Sequence, residues 1–483
     1  GGAAAVEVIE AEGRCLTPGF IDIHRHADAA LFRHDWGRAE LAQGLTTIIN
    51  GNCGLSLAPV CGAHAVEIQR YLSPIVGELP EGREFPSMAS YLAQAREAAP
   101  PVNTFMLAGM GTIRACAAGF SDLPLTAEQY ARVHRLLEES LAGGAIGVSL
   151  GLGYAPECFY TTEELLEALA PLRDSGVVVT VHMRQEGDGV VDALREMLAV
   201  ARELRMPLEI SHLKAIGRRN WRKSVPEMLR LIDEARQDGL DIMCDVYPYP
   251  AGSTQLIHVL PPEYQAGGTE ALTAALLDPL TRERMRERME TGSDFENISL
   301  LVGFENIRAT SLHRPENLEF EGRSIAEIAA SKGSSDFDAL FDLLASEHCA
   351  VSMIDFIADE EDICDILRAP FSGVISDATY PASGLLHPRA YGTYPRLFER
   401  YVLGKGVLSL PEAVRKVTRQ PADRFGLRTK GRIEPGADAD LCLFDPSALR
   451  ERDSYEHPET LATGMDYVLV GGRPAIAEAR FTF

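Results

Sequence analysis

Six side chains of types that bind metal ions lie at or near the ends of short apolar segments of this sequence. They are His24, His26, Cys53, His182, His212 and Asp377. His24 and His26 are separated by one residue, so on a strand both imidazoles point to one side while Arg25 points away, and the two can share an ion. Alone, such a histidine is more often structural, and a buried cysteine is usually a small hydrophobe. All six at one place would indicate a metal centre.

Eight apolar segments rich in β-forming residues are predicted as strands. They cover residues 17–26, 46–53, 103–110, 144–151, 177–184, 207–214, 241–249 and 371–377. Several stretches between them carry apolar residues at three- and four-residue spacing, which is typical of amphipathic helices. This alternation predicts an α/β fold of the (β/α)8, or TIM-like, barrel type, in which the carboxyl ends of the strands form one rim. The rim would bring the six candidate ligands to a common centre.

Two segments do not follow the alternation of strands and helices. Residues 250–370 are too long for a simple connection, so they are predicted to form an inserted subdomain near the barrel mouth. After residue 428, short apolar segments are separated by glycine and proline, which is typical of a small β-domain. We therefore predict that residues 1–15 and 428–483 form a small β-sandwich domain and that residues 16–427 form the barrel with its insertion.

The charge balance limits the partners of this 483-residue chain. Its 46 basic and 70 acidic residues give a formal net charge of −24, which disfavours binding to nucleic acid and to anionic membranes. No apolar run reaches the roughly 18 residues of a membrane span, and no secretory signal is visible. The cysteines lack paired spacing, which favours reduced thiols. We predict a cytoplasmic protein that acts on a small molecule.

Longer motifs carry a resemblance to a known family. The segments PGFIDIHRHAD, GNCG, VHMRQEGDG, ISHLKAIG and HPRAYGTYPR resemble those of the N-acyl-D-amino-acid deacylases, or D-aminoacylases, of the amidohydrolase superfamily. The His-x-His pair alone indicates only an amidohydrolase, whereas the later motifs are much more specific. The resemblance implies one tightly bound zinc held by Cys53, His182 and His212. It also implies a second, weaker site that is surrounded by His24, His26 and Asp377.

The implied chemistry is hydrolysis. A thiolate and two neutral imidazoles leave zinc an open position, at which a catalytic zinc lowers the pKa of water to about 7. Asp377 is the candidate catalytic residue, because a carboxylate can accept the proton of that water and return it to the departing amine. Many relatives in the superfamily bridge two metals with a lysine of the fourth strand. The segment GAIGVSLG carries no lysine, and Cys53 is expected to take its place.

Substrate binding requires a cation for the free carboxylate of an N-acyl amino acid. Arg389 is the first candidate because guanidinium binds carboxylate in a bidentate manner. Lys214, two residues after His212, is expected on the same side of its strand. The resemblance further places three residues at the substrate, and these are Tyr154, Tyr247 and Ser253. Tyr249 faces the same side as Tyr247 in a strand and is the alternative to it.

The predicted function is zinc-dependent hydrolysis of N-acyl-D-amino acids to a carboxylate and a free D-amino acid. One alternative is a cyclic amidase of the hydantoinase or dihydroorotase type, although those enzymes typically rely on the bridging lysine. A second is a non-catalytic scaffold with an amidohydrolase fold, for which loss of ligands is expected. The segment ATYPASGLL after Asp377 departs from the family's usual pattern. The resemblance therefore does not specify the preferred side chain.

Overall fold

The computed structural model describes residues 8–483, and residues 1–7 of the predicted N-terminal range 1–15 lie outside the described residues. Its strands are β1 Cys15–Pro18, β2 Phe20–Asp22, β3 Leu45–Asn50, β4 Asn103–Met106, β5 Ala108–Gly109, β6 Val148–Gly151, β7 Val179–His182, β8 Leu208–Ile210, β9 Ile242–Val246, β10 Ala251–Gln255, β11 Ile307–Thr310, β12 Ser352–Phe356, β13 Ser372–Val374, β14 Leu441–Phe444, β15 Met465–Val470, β16 Arg473–Ala477 and β17 Arg480–Phe481.

Helices separate most of these strands. They are α1 Arg38–Ala42, α2 Ala65–Val76, α3 Met88–Ala98, α4 Met110–Ala118, α5 Ala127–Ala142, α6 Thr162–Ala168, α7 Val190–Leu204, α8 Ser224–Gln237, α9 Gly268–Leu277, α10 Pro279–Thr291, α11 Ile298–Val302, α12 Ile325–Lys332, α13 Asp336–Ser346, α14 Glu360–Arg368, α15 Arg389–Arg396, α16 Leu410–Val417 and α17 Arg419–Arg424. Among residues 8–483, none of them is long and apolar enough to cross a bilayer.

The barrel consists of eight parallel strands, of which the third is divided into β4 and β5. The remaining seven are β2, β3, β6, β7, β8, β9 and β13. The first and eighth strands meet just beyond their ends, where the amide of Asp377 donates to the carbonyl of His24 and the amide of His26 donates to the carbonyl of Ala378, both at 2.9 Å. The predicted barrel is therefore present, and its rim lies where the candidate ligands occur.

The strands are shorter than predicted, and the first predicted segment is divided between two sheets. Within residues 17–26, the beginning belongs to β1, which pairs with β14 outside the barrel, and only β2 is a barrel strand. His24 and His26 therefore follow a strand instead of lying on it. The reason is that the chain must leave the small sheet and enter the barrel within a few residues, which Gly19 makes possible. Its ideal Cβ would lie 2.1 Å from the Thr46 hydroxyl oxygen.

Amphipathic helices cover the barrel, and α7 is representative. The residues of α7 that face the barrel, among them Leu194, Met197 and Leu198, are buried, whereas Asp192 and Glu203 are exposed. Burial of each large apolar side chain contributes about 1.5 to 3 kcal/mol to stability. Replacing Leu194 with alanine would remove such a contact and leave a cavity, at a typical cost of about 2 to 5 kcal/mol.

The inserted segment covers one side of the barrel mouth. It forms an antiparallel sheet in the order β10-β12-β11, together with helices α9 to α13. Helix α14, which lies inside the predicted insertion range 250–370, packs instead on β9, β13 and α8. Its buried apolar face, which includes Ile363, Ile366 and Leu367, covers two barrel strands. It therefore has the position of the barrel helix before the eighth strand.

The small β-domain is a five-stranded antiparallel sheet in the order β1-β14-β15-β16-β17. Its N-terminal strand ends at Pro18, beyond the predicted boundary at residue 15, because β1 pairs with β14 along its whole length. The side-chain amide of Asn103 in β4 donates to the Asp440 carboxylate at 3.0 Å and joins this domain to the barrel. Strands from both ends of the chain thus build one sheet. The three predicted ranges, 1–15, 16–427 and 428–483, stay a prediction.

Candidate metal centre and active site

The six candidate ligands meet at the carboxyl ends of the barrel strands. Their donor atoms form two buried groups, one of four residues and one of three, whose members lie within 4.8 Å of one another. The groups are His24, His26, Cys53 and Asp377, and Cys53, His182 and His212. Cys53 belongs to both, because its Sγ lies 3.2 Å from His24 Nε2 and 3.5 Å from His212 Nε2. His182 Nδ1 lies 3.1 Å from His212 Nε2.

Three of the six residues have left-handed backbone conformations. The φ angles are 54° at Cys53, 38° at His212 and 53° at Asp377. Residues other than glycine seldom adopt this region, and its occurrence at functional sites reflects constraint by the surrounding structure. Each of the three follows the end of a barrel strand, where the turned backbone directs the side chain towards the barrel axis.

Buried polar side chains hold these turns. The Asp245 carboxylate accepts a hydrogen bond from the amide of His212 at 2.5 Å, and the Asp22 carboxylate accepts one from the amide of His24 at 3.2 Å. The Asn52 amide donates to the carbonyl of Ile23 at 3.3 Å. These bonds satisfy backbone groups that the shortened strands leave unpaired, and they fix where the ligand side chains begin.

The electrostatics of the cluster favour metal binding. Burial lowers the pKa of His182 and of His212 well below the usual value, so both imidazoles are neutral and can offer a lone pair. Burial raises the pKa of the Asp377 carboxyl, but Arg389 and His24 lower it more strongly, and the net shift is well below the usual value. Burial also raises the pKa of the Cys53 thiol, and only a cation at the site would favour its thiolate.

Asp377 lies between the His-x-His pair and Arg389. Its Oδ1 lies 3.3 Å from Nε2 of both His24 and His26, and its Oδ2 lies 2.9 Å from Nη1 of Arg389. His182 and His212 are absent from this set of contacts. One carboxylate oxygen therefore faces the His-x-His pair and the other faces the candidate substrate-binding cation.

Arg389 is fully buried at the first turn of α15. Its Nη2 donates to the carbonyl of Ser253 at 2.9 Å, and its guanidinium carbon lies 4.6 Å above the centre of the Tyr247 ring. Among the described residues, its Nε donor has no hydrogen-bond partner. His387 fixes the backbone here, because its Nδ1 accepts from the amide of Arg389 at 3.0 Å. A buried guanidinium with a free donor is suited to bind an anion.

The structure places all of the predicted substrate-binding residues on one cavity. Tyr154, Lys214, Tyr247 and Ser253 line it together with Arg389 and five of the six candidate ligands, all but His24. The Tyr154 hydroxyl lies 2.9 Å from the Thr254 hydroxyl. Tyr249, the alternative to Tyr247, instead donates to Glu451 of the β-domain at 2.9 Å. The contact roles of these residues stay predictions.

Glu186 is a site residue that the sequence analysis missed. Its Oε2 lies 2.6 Å from Lys214 Nζ, and its Oε1 lies 3.0 Å from His212 Nδ1. It is part of the VHMRQEGDG motif, which carries the family resemblance but does not by itself indicate a role for the glutamate. Lys214 was expected to lie on the same side of a strand as His212. This reason was wrong, because β8 ends at Ile210 and residue 214 lies beyond the strand. The loop and the Glu186 carboxylate place the lysine instead.

A larger cavity of about 730 Å³ lies beside the site, between α2 and α9. Gln255 and Pro74 belong to its lining, and Gln255 is fixed by donating its side-chain amide to the carbonyl of Tyr71 at 2.9 Å. Neither candidate metal-ligand group found among residues 8–483 lies there. Members of both groups line the smaller cavity at the barrel rim instead.

Comparison with known proteins identifies the family of the chain. The profile of the amidohydrolase family matches residues 7–212 and 375–476. The chain belongs to the amidohydrolase family. It is 34% identical to the D-aminoacylase of Alcaligenes xylosoxydans xylosoxydans over 99% of this chain and 88% of that protein. The resemblance to the N-acyl-D-amino-acid deacylases is thereby confirmed.

Solved structures of this amidohydrolase family are similar over nearly the whole chain. The N-acyl-D-glutamate deacylase from Bordetella bronchiseptica, complexed with zinc and a phosphonate that mimics the tetrahedral intermediate, has a TM-score of 0.81 at 29% identity, covering 97% of this chain and 88% of that one. A D-aminoacylase described with a binuclear metal centre has a TM-score of 0.79 at 32% identity, covering 98% and 88%. The predicted fold class is confirmed.

Proposed function

We propose that this amidohydrolase is a zinc-dependent deacylase that hydrolyses N-acyl-D-amino acids to a carboxylate and a free D-amino acid. The observation that carries the proposal is the position of the Cys53, His182 and His212 group next to the Asp377 and Arg389 pair on one cavity. The similarity to a D-aminoacylase over 99% of the chain supports the substrate class. The barrel, residues 16–427, supplies the ligands, and the insertion supplies part of the cavity wall.

The residues present fit a zinc ion. Donors that share one tetrahedral zinc at its usual bond lengths are separated by roughly 3.3 to 3.6 Å. The observed separations between Cys53 Sγ, His212 Nε2 and His182 Nδ1 are 3.5 and 3.1 Å. Two neutral imidazoles and a cysteine sulfur form a soft donor set. Such a set binds zinc in preference to magnesium or calcium. We assign the tight site to this group and a weaker site to His24, His26 and Asp377.

The chain's own residues hold the substrate and transfer a proton of the attacking water to the leaving amine. When bound, zinc supplies Lewis acidity, which polarises the scissile carbonyl and acidifies water. Asp377 is ionised, and it accepts a proton at its carboxylate and returns it to the nitrogen of the leaving amine. Arg389 binds the α-carboxylate through its free Nε, and Lys214 with Tyr247 lines the same wall. These contacts hold the amide beside the metal ligands, which accounts for a large part of the rate.

The alternatives account for less of the site. A cyclic amidase typically uses a lysine of the fourth strand, but β6 has the sequence VSLG. Cys53 instead belongs to both candidate metal-ligand groups. A scaffold without activity has no need for six buried metal-binding groups at one rim, because burying them unpaired is costly. Hydrolysis of a linear amide is therefore the function that the geometry favours.

A substrate screen with metal analysis tests the proposal. We expect the purified protein to contain about one zinc per chain and to release free amino acid from N-acetyl-D-amino acids but not from their L forms. Removal of zinc with a chelator should abolish the release, and added zinc should restore it. Ring opening of a hydantoin or of dihydroorotate without release from any N-acetyl-D-amino acid would contradict the proposal.

Replacing Arg389 with methionine is expected to raise KM strongly and to lower kcat, with zinc content unchanged. The variant should lose the preference for a free α-carboxylate over the matching carboxamide, which a hydrogen bond to a charged group supports at about 1.5 to 3 kcal/mol. The ratio of kcat/KM for the two substrates is the measurement, because it cancels any effect of Arg389 on Asp377. An unchanged ratio would place the carboxylate elsewhere, with Lys214 as the next candidate.

A further inference from the structure

Asp355 is a buried carboxylate on the wall of the active-site cavity that the mechanism does not use. It lies in β12, the central strand of the inserted sheet, directly opposite Gly252 of β10. Its residue surface is 3% exposed, and it lines the same cavity as His182, His212 and Arg389. The insertion thus adds a negative group to a cavity whose metal ligands come from the barrel.

Asp355 differs from the other charged groups of the cavity by having no partner. Among the described residues, its carboxylate makes no hydrogen bond and no ion pair. The neighbouring titratable groups have partners, and the pairs are Lys214 with Glu186 at 2.6 Å, Arg389 with Asp377 at 2.9 Å and His258 with Glu296 at 3.5 Å. A carboxylate that is buried without a partner is costly to the protein. Such a group is expected where a ligand supplies the missing partner.

Asp355 lines the cavity beside Gly252 and Tyr247. An ideal Cβ at Gly252 would lie 2.9 Å from Asp355 Oδ1 and 3.2 Å from the Tyr247 hydroxyl. These distances are too short for a side chain, so a glycine at position 252 lets β10 lie close to the Asp355 carboxylate and the Tyr247 hydroxyl. Burial raises the pKa of Asp355 to about 6, although Lys214, His258 and Arg389 lower it. The carboxylate is consequently ionised in neutral and mildly alkaline solution.

We infer that Asp355 binds the side-chain cation of the substrate, so that the preferred substrates are N-acyl-D-amino acids with basic side chains, such as lysine, ornithine and arginine. This inference rests on the proposed deacylase function. Arg389 donates to the carbonyl of Ser253, the residue after Gly252, so the cation for the α-carboxylate and the anion for the side chain lie on adjacent parts of one wall. A basic amino acid carries both complementary charges on one Cα, an α-carboxylate for Arg389 and a cationic side chain for Asp355.

The same arrangement disfavours acidic side chains. Arg389 and Lys214, the two cationic side chains among the described residues that line the cavity, already have carboxylate partners. A second substrate carboxylate would therefore meet Asp355 without a free cation to offset the repulsion. The preference should thus differ from that of relatives named for D-aspartate and D-glutamate, which are 31% and 32% identical to this chain.

The test compares three N-acetyl-D-amino acids by kcat/KM. N-acetyl-D-lysine carries the cation, N-acetyl-D-norleucine has the same carbon chain without it, and N-acetyl-D-glutamate carries an anion. We expect the wild-type protein to prefer lysine over norleucine by about tenfold or more, and glutamate to be the poorest. In Asp355→Asn, the ratio of kcat/KM for lysine over norleucine should fall to near unity. Asp342→Asn removes an exposed carboxylate of the same insertion and should leave the preference unchanged.

The outcomes separate this inference from the proposed function. Equal turnover of lysine and norleucine by the wild type, or a preference for glutamate, overturns the role of Asp355 and leaves the deacylase function standing. An undiminished lysine preference in Asp355→Asn also overturns that role. Failure to cleave any N-acetyl-D-amino acid overturns the deacylase function and this inference together. The wild-type ratios decide the inference even if the variant does not fold.

Discussion

Replacing Asp377 with asparagine is expected to lower kcat by roughly 10²-fold or more while leaving the tight zinc in place. The amide keeps the size of the carboxylate but cannot accept a proton. Zinc should stay because Cys53, His182 and His212 form a complete group without Asp377. Elemental analysis and steady-state kinetics on the same preparation measure both effects.

A second aspartate variant shows whether the effect is specific. Asp440 is also buried beside a cation, Lys430 Nζ, at 2.7 Å, but it belongs to the small β-domain and to neither metal-ligand group among residues 8–483. We expect Asp440→Asn to keep near-normal kcat, even where its stability falls. Near-normal turnover by zinc-loaded Asp377→Asn would remove Asp377 from the proposed mechanism, and loss of zinc from it would assign Asp377 to the tight site.

Replacing Cys53 with alanine is expected to remove nearly all bound zinc and, with it, the activity. The change leaves two imidazoles in the three-residue group and also removes the sulfur from the four-residue group. Two neutral nitrogen ligands hold zinc far more weakly than a set that includes a thiolate. Elemental analysis after dialysis gives the zinc content, and kcat on an N-acetyl-D-amino acid gives the activity.

Cys244 provides the matched control for the thiol. It is fully buried in barrel strand β9 but belongs to neither metal-ligand group among residues 8–483. Cys244→Ala should therefore lose some stability through a small cavity and keep its zinc. Full zinc content in Cys53→Ala would refute the assignment of the tight site.

Much of the fold followed from periodicity. Strands rich in valine and isoleucine, separated by helices such as α5 and α7, indicate a barrel, and a barrel requires one rim for all strand ends. From that requirement the sequence predicts that His24 and Asp377 lie close together. The exact strand ends did not follow, because the left-handed turns at Cys53, His212 and Asp377 depend on distant side chains such as Asp245.

The residues that were missed lie where local patterns carry little information. Glu186 follows β7 in a loop, and its role depends on Lys214, which is distant in sequence. Asp355 lies on a strand of the insertion that was not predicted, and only the pairing of β12 with β10 places it on the cavity. The motif residues of the barrel could be found from sequence, whereas the positions of Glu186 and Asp355 on the cavity required tertiary structure.

The closure of the barrel by its first and eighth strands has a consequence for synthesis. Cys53, His182 and His212 have all been made once residue 212 is translated, but Asp377 and the eighth strand follow 165 residues later, as 377 minus 212. At about 5 to 20 residues per second, this interval lasts roughly 8 to 33 seconds. During it the thiol lacks the finished barrel that buries it. The metal that is finally trapped should therefore depend on which ions surround the nascent chain, as well as on the preference of the completed site.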